Sequence, residues 1–384
     1  MEALLYCCCG LDVHRDMIEA CILKGMPDEE PEIIRQQFTT YQQGLKELVE
    51  WLEKNECYSV AMESTGVYWM PVFEELETDS KYLENLWVVN AYHMRNLPGR
   101  KSDIKDAEWI ATLLRHGLLE KSFVPPQAIR DLRSYTRINR TFVQEESRYV
   151  NRVEKFLQCQ GFKFSSVMED IVGATGISLL KTLIETGEIT ESDVEKQCKR
   201  LRKHPIEEIK SAVVGKLNTS QQNILAHLVH KIEESREDIK NLKKDMEPLK
   251  AEIQRSLEIA DSIPGIDMDS ACEILAEISD KPYEHFQDAG RICSWSGLTP
   301  KNDESAGKIK SRKMRHGNQH VKSILCQTAW AAVRCRNSIF RDWFWKHRNK
   351  IGQKKAIMAV ARKILALLYH LLKKDTLYQY PSAA

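Results

Sequence analysis

The sequence predicts a three-part chain: a mixed α/β domain over residues 1–123, a long helical coiled-coil connector over 124–255, and a mostly α domain over 256–384. Three observations predict it. Apolar runs of strand length follow one another at the N-terminus and then alternate with helical patterns. A heptad seam runs from Leu225 to Ile253. Beyond residue 256 the pattern is mostly helical, and basic residues accumulate toward the end.

Taken in order, residues 5–13 (LYCCCGLDV) form an apolar run closing on an acid, and 17–24 and 33–39 read as two more strands, a meander. A helix is expected at 42–54, a strand at 58–64 (YSVAMES), a helix at 67–77 and a strand at 86–91. Ile104, Ala107, Ile110, Ala111 and Leu114 then recur at helical spacing. Three strands followed by alternating helix and strand is the element order of the ribonuclease-H-like fold. Residues 127–158 read as one helix rich in arginine (Arg130, Arg133, Arg137, Arg140, Arg148, Arg152). A smaller helical section, punctuated by Gly161, Gly173 and Gly176, reaches about residue 220. Leu225, Leu228, Ile232, Ser235, Ile239, Leu242, Met246, Leu249 and Ile253 then alternate at spacings of three and four. Such a stripe seeks a partner helix, in the same chain or in another copy. Pro248 lies off the seam and is expected to kink the helix.

Composition narrows the function. No apolar run reaches the roughly 18 residues of a membrane span. The opening MEALLYCCCG lacks the basic stretch and long apolar core of a signal peptide. Eleven cysteines without a C-x-x-C pair fit reduced, buried thiols in a cytoplasmic protein better than disulfides or zinc. The net charge is only +1, but from Lys301 onward 19 Lys/Arg stand against 4 Asp/Glu. That imbalance marks a polyanion-binding end, and salt-sensitive nucleic-acid binding is expected to centre there.

Four acids occupy suggestive places: Asp12 closing the first strand, Glu63 closing the fourth, and Asp103 and Asp106 three apart on a helix. Carboxylates at neighbouring strand ends, with a helix crossing above, can converge. Convergent carboxylates repel unless a divalent ion neutralises them, and oxygen ligands suit Mg²⁺ or Mn²⁺. The bland alternatives are a turn residue at each strand end and, for Asp103, a helix N-cap.

A second constellation surrounds Ser305, in a polar stretch followed by Lys308, Lys310, Arg312, Lys313 and Arg315. A hydroxyl among cations can attack phosphorus while the cations stabilise the developing charge. The bland alternative is a solvated loop serine in a basic patch. Gly307 and Gly317 would let backbone approach a phosphate. SIPGID (262–267) reads either as a helix–turn–helix hairpin offering backbone N–H groups or as an ordinary packed turn. Further on, Phe340, Trp343, Phe344 and Trp345 interleave with Arg341, Lys346, Arg348 and Lys350, a mixture suited to phosphate contact and base stacking, with half of the aromatics expected in the core.

With both constellations in view, the chain resembles the DEDD family of insertion-sequence transposases, the group with the Piv-type invertases and the bridge-RNA-guided recombinases. The matching strings are GLDVHRD, AMESTGVYW, VVNAYHMRNLPGRKSDIKDAEWIATLLRHGLL, SFVPP, SIPGID, SWSGLTPKNDESAGK and HGNQHVKSIL, in family order over almost the whole chain. The resemblance implies a RuvC-like N-terminal domain and a C-terminal transposase domain. It places the metal-binding, catalytic tetrad on Asp12, Glu63, Asp103 and Asp106, and the nucleophile on Ser305. It implies donor and target DNA as substrates, a bacterial, nucleoid-associated protein, a guiding bridge RNA, and a homo-oligomer, dimer or tetramer. Arg100 and Lys101 join the five cations after Ser305 as expected nucleic-acid contacts. This chain has Ser305-Ala306-Gly307 where many members have Ser-Gly-Gly. Two rival readings remain: a metal-dependent junction nuclease that does not use the serine, and a non-catalytic nucleic-acid-binding assembly protein.

Overall fold

A computed structural model describes residues 3–64, 66–79, 81–82, 85–90, 106–198, 203–301, 313–336 and 338–380, and the backbone of 303–305 and 308–311. The chain divides into two compact units, Met1–Val124 and Pro125–Ala384.

In the first unit β1 (Cys7–Val13), β2 (Met17–Lys24) and β3 (Glu32–Thr39) form an antiparallel meander. Helix α1 (Gln42–Lys54) leads to β4 (Val60–Glu63), and α2 (Trp69–Glu77) leads to β5 (Leu86–Val89). Both of these strands join in parallel, giving the sheet order β3-β2-β1-β4-β5. Parallel pairing needs a crossover, and the intervening helices supply it. Helix α3 (Asp106–Arg115) completes the unit.

Alternation along β1 sorts the sheet into two faces. Cys9, Leu11 and Val13 enter a core with Leu45, Leu48 and Leu52 of α1 and Val72 and Leu76 of α2. Cys8 enters the opposite core, with Ala107, Ile110, Ala111 and Leu114 of α3. Between Cys8 and Asp12 on that second face stands Gly10. A Cβ there would lie 2.1 Å from the Ala107 carbonyl oxygen and 2.4 Å from the Ala111 nitrogen. Helix α3 therefore rests directly on the β1 backbone. At the end of α3, buried Arg115 donates to the carbonyls of Leu5, Gly25 and Met26 and ties the helix to the strand ends. Among the described residues of this unit the expected strand and helix boundaries hold within a few residues; Ile104 and Asp103 lie outside them.

In the second unit α4 (Gln127–Cys159) is followed by α5 (Phe164–Val167), α6 (Ala174–Thr186), β6 (Glu188–Ile189), α7 (Glu191–Gln197), α8 (Ile206–Val213) and β7 (Gly215–Lys216). Helix α9 (Thr219–Glu252) starts at a capping box, Asn218 with Gln221. It runs back along α4 in the antiparallel sense: Gln221 meets Gln160 and, further on, Arg236 meets Glu146 at 2.7 Å. The stripe read from the sequence faces inward at Leu225, Ile232, Ser235 and Met246, while Leu228, Ile239, Leu242 and Leu249 are half-buried. Its partner helix is thus in the same chain. The helix continues through Pro248 to Glu252.

The remaining elements are α10 (Gln254–Asp261), α11 (Met268–Ile278), α12 (Pro282–His285), α13 (Ala289–Trp295), the strands β8 (Asp303–Ser305) and β9 (Lys308–Ser311), and helices α14 (Gln319–Ala332), α15 (Ile339–Ile351) and α16 (Gln353–Lys374). Helix α16 buries Ile357, Val360, Ile364, Leu365, Leu368 and Tyr369, and the Tyr369 hydroxyl donates to the Phe286 carbonyl at 2.7 Å. The basic end is therefore built into the core and cannot be removed as a tail. No helix among the described residues is long and apolar enough to cross a membrane.

Gly10→Ala forces α3 off the sheet, since its new methyl meets the α3 backbone at Ala107 and Ala111. Overpacking of this kind costs about 3 kcal/mol or more. Urea denaturation followed through the first unit is expected to show that loss, and a midpoint equal to wild type would contradict the packing described.

Candidate active site

The parallel register of β1 and β4 pairs Gly10 with Ala61 and Leu11 with Met62. Asp12 and Glu63 are the next residues of each strand, so they sit side by side at the C-terminal ends. Leu11 and Met62 point into the α1/α2 core, which turns Asp12 and Glu63 to the α3 face. Helix α3 packs on that same face, and Asp106 is its first described residue. Three of the four expected acids therefore belong to one face of one sheet. The fourth, Asp103, lies outside the described residues, as do Arg100 and Lys101.

The electrostatics agree with this convergence. Burial pushes the Asp12 carboxyl up from the ordinary aspartate range; His14 pulls it down, and the negative charges of Asp106, Glu63 and Glu19 push it up again. His14 Nε2 stands 3.2 Å from Asp12 Oδ2. Glu19 is the residue opposite Asp12 in the antiparallel β1–β2 pair. It adds a further acid to this face, and sequence reading passed over it because it lies mid-strand, where a glutamate reads as ordinary solvent-facing alternation. His14 was missed as well, although it stands within the GLDVHRD string. Helix α3 is held over the site by a second tie, the ion pair of Arg35 on β3 with Glu108.

Among the described residues no group of three or more His, Cys, Asp or Glu side chains is close enough to hold a metal ion. The donor chemistry is nonetheless that of a hard cation: oxygen only, anionic and mutually repulsive.

Ser305 ends β8, and its register partner on the antiparallel β9 is Lys308. The expected loop is thus a short β-hairpin. Its base is extended by the Pro300–Met314 bridge, by Lys301 N–H donating to the Lys313 carbonyl and by Arg315 N–H donating to Thr299. Lys308 and Lys310 lie in β9, and Arg315 also donates to Ser294 Oγ at 3.1 Å. Arg312 lies outside the described residues.

Two glycines of this region stand in close backbone contacts. Gly265, at φ +89°, lies against α14: a Cβ would come 2.3 Å from the Ala332 nitrogen. Gly317 abuts the Ser296–Gly297 backbone, 2.3 Å from the Gly297 nitrogen by the same measure. Both serve close packing of backbone, as the packed-turn reading of SIPGID expects for Gly265. Of the four aromatics, Phe340 and Phe344 are core, Trp343 stacks on His347, and Trp345 is half exposed beneath the Arg348 guanidinium at 3.7 Å.

Sequence reading also missed what the arginine-rich helix does. Arg133 and Arg137 of α4 converge on Glu277 of α11, which is 1% exposed, and Arg140 bonds Glu273. Burial pushes the Glu277 carboxyl up, but Arg137, Arg133 and Asn318 outweigh it and hold it below the usual range. The repeated arginines were a visible signal; their partners 140 residues away were not.

A carboxyl whose pKa is raised by folding holds its proton more tightly in the fold than in the unfolded chain. Its contribution to stability is therefore present at acid pH and lost as pH rises through the raised pKa. Asp12→Asn is expected to raise the melting temperature of chelator-treated protein at pH 8, with the gain disappearing near pH 4. Calorimetry at the two pH values checks this, and a lower melting temperature at pH 8 would show that the acids are not in repulsion.

Residues 9–160 match the DEDD model of IS110, described as a transposase. Residues 257–344 match a second model, described as the transposase IS116/IS110/IS902 family. The first match contains the carboxylate face and α4; the second contains the Gly265 turn, the Ser305 hairpin and α14. No curated protein matches the chain. Two models of one family, in order and covering both constellations, identify the chain as a member of the IS110 family of DNA transposases.

Proposed function

We propose that this transposase cleaves, exchanges and religates DNA strands through a serine–DNA intermediate, with Ser305 as nucleophile and Asp12, Glu63, Asp103 and Asp106 as the metal-binding carboxylates of a RuvC-like domain. The observation that carries the reading is the parallel β1–β4 register, which sets Asp12 beside Glu63 on the sheet face that α3 covers; burial and the charges of Asp106 and Glu63 push the Asp12 carboxyl up accordingly. Acids are not crowded in this way for stability, because like charges at close range oppose folding. A divalent ion, Mg²⁺ or Mn²⁺, would neutralise them and polarise a phosphodiester oxygen.

In this reading the Ser305 hydroxyl attacks the scissile phosphorus. The Oγ–P bond forms, the P–O3′ bond breaks, and the leaving oxygen takes a proton to become a free 3′-hydroxyl. The seryl 5′-phosphate preserves the bond energy, so a 3′-hydroxyl from the other DNA can attack it, restoring the serine and a phosphodiester. The cations of β9 and the following turn (Lys308, Lys310, Arg312, Lys313, Arg315), with Arg100 and Lys101, contact the nucleic acid and offset the charge of the pentacoordinate phosphorus. His14, beside Asp12, orients that carboxylate. A structured bridge RNA from the element specifies donor and target by base pairing, and the chain works as a dimer or tetramer; the family resemblance supports both statements. The division into a domain at 1–123, a connector at 124–255 and a serine-bearing domain at 256–384 belongs to the same reading.

The test is incubation with the element's own DNA ends and flanking RNA in Mg²⁺, followed by denaturing electrophoresis. Wild type is expected to give a protein–DNA adduct that disappears with Ser305→Ala. Glu63→Gln is expected to lower adduct formation by about 10²-fold or more, the loss typical of a charge-stabilising group. Unchanged cleavage by Ser305→Ala would leave a carboxylate-only nuclease in place of this mechanism. Omitting the RNA is expected to abolish strand exchange.

A further inference from the structure

The second unit contains a polar cavity that neither constellation explains. Its volume is about 390 Å³, and Arg137, Arg140, Thr141 and Gln144 of α4 and Gln319, His320 and Ser323 of α14 line it. Every side chain among them carries a hydrogen-bonding group, and His320 is the single aromatic ring of this lining, so the wall is suited to a polar, anionic ligand more than to an apolar one. What it offers is donors, on a framework that is already rigid.

The rigidity comes from behind. Glu277 takes Arg137 Nε and Nη2 at 2.7 and 3.0 Å and Asn318 Nδ2 at 2.6 Å. Arg133 donates to the Ala276 and Glu277 carbonyls. Arg140 donates to Glu273 through Nη1 and to Ser323 Oγ through Nη2 at 2.7 Å. Three guanidinium groups thus face two carboxylates, leaving a positive excess. A guanidinium has five N–H donors, and these bonds leave part of each fork unspent. The N-terminal end of α14 adds partial positive charge. Its His320 and Val321 N–H groups are already taken by Asn318 Oδ1, so the side-chain donors remain to meet a ligand. Arginines fixed in advance lose little rotamer freedom on binding and suit the paired oxygens of a phosphate. Arg148, four residues beyond Gln144, continues the same face of α4.

We propose that the α4–α14 cavity is a phosphate clamp that holds the sugar–phosphate backbone of a nucleic-acid strand bound by the transposase, through residues that belong to neither the Ser305 hairpin nor the carboxylate set. The clamp rests on the reading of the chain as a nucleic-acid-processing enzyme, but it concerns binding and not the chemical step. It reads no sequence, because it contacts only backbone.

Gln144 and Gln319 are exposed, so charging them disturbs no buried contact. Glutamate at the first turn of α14 also suits the helix dipole, so the double variant Gln144→Glu/Gln319→Glu is expected to melt no lower than wild type. Full-length protein is titrated with a fluorescent DNA duplex and, separately, a fluorescent RNA hairpin at several salt concentrations. The double variant is expected to bind at least one of them about tenfold more weakly at low salt, with the slope of log K against log salt reduced by about one. The charge-matched control Gln158→Glu/Gln254→Glu, also exposed, is expected to bind within about twofold of wild type. A loss with DNA alone or RNA alone names the strand; equal losses mean that both pass through the clamp. Wild-type affinity and slope for both probes, or an equal loss in the control, overturns the clamp. Absence of a covalent adduct in wild type, with the binding loss intact, would instead reject the proposed chemistry and leave the clamp standing.

Discussion

The whole first unit depends on one missing side chain. Gly10 lets the α3 backbone settle on β1, with Ala107 and Ala111 where a Cβ would otherwise be. That contact sets the height of α3 above the sheet and keeps Asp106 near enough for its charge to act on Asp12. Arg115 at one end and the Arg35–Glu108 pair near the other keep the helix from sliding. A larger residue at position 10 would leave all three acids in the chain and destroy their common face.

The acids that result are in mutual opposition. Burial and three neighbouring negative charges raise the Asp12 carboxyl, against the pull of His14. The fold tolerates this because its stability comes from elsewhere: the two apolar cores on either side of the sheet bury Leu11, Met62 and Ile110 almost completely.

The second unit is organised by a comparable device with opposite sign. Glu277 lies out of reach of solvent and is matched from two helices at once, by Arg133 and Arg137 of α4 and by Asn318 before α14. Removing its partners would strand a buried carboxylate, which is among the costlier defects a fold can carry. The same bonds orient the arginines, so structural anchoring and a cationic surface arise from one set of residues. The basic C-terminal third behaves alike: α16 supplies core leucines along with its lysines.

Local pattern decided a great deal. Alternating apolar residues set the meander and the two parallel strands, helical periodicity set α4 and α9 to within a few residues, and the positions of Asp12 and Glu63 at strand ends followed from both. These features depend on neighbours in the chain, which is why they can be read from it. Which partner the α9 stripe chooses, why Gly10, Gly265 and Gly317 must be glycine, that Ser305 ends a hairpin strand, and that Glu277 collects arginines from α4 were settled only in three dimensions. Each of these depends on atoms far apart along the chain, such as Gly10 against Ala107 or Arg137 against Glu277, and no periodicity in a single segment carries that information.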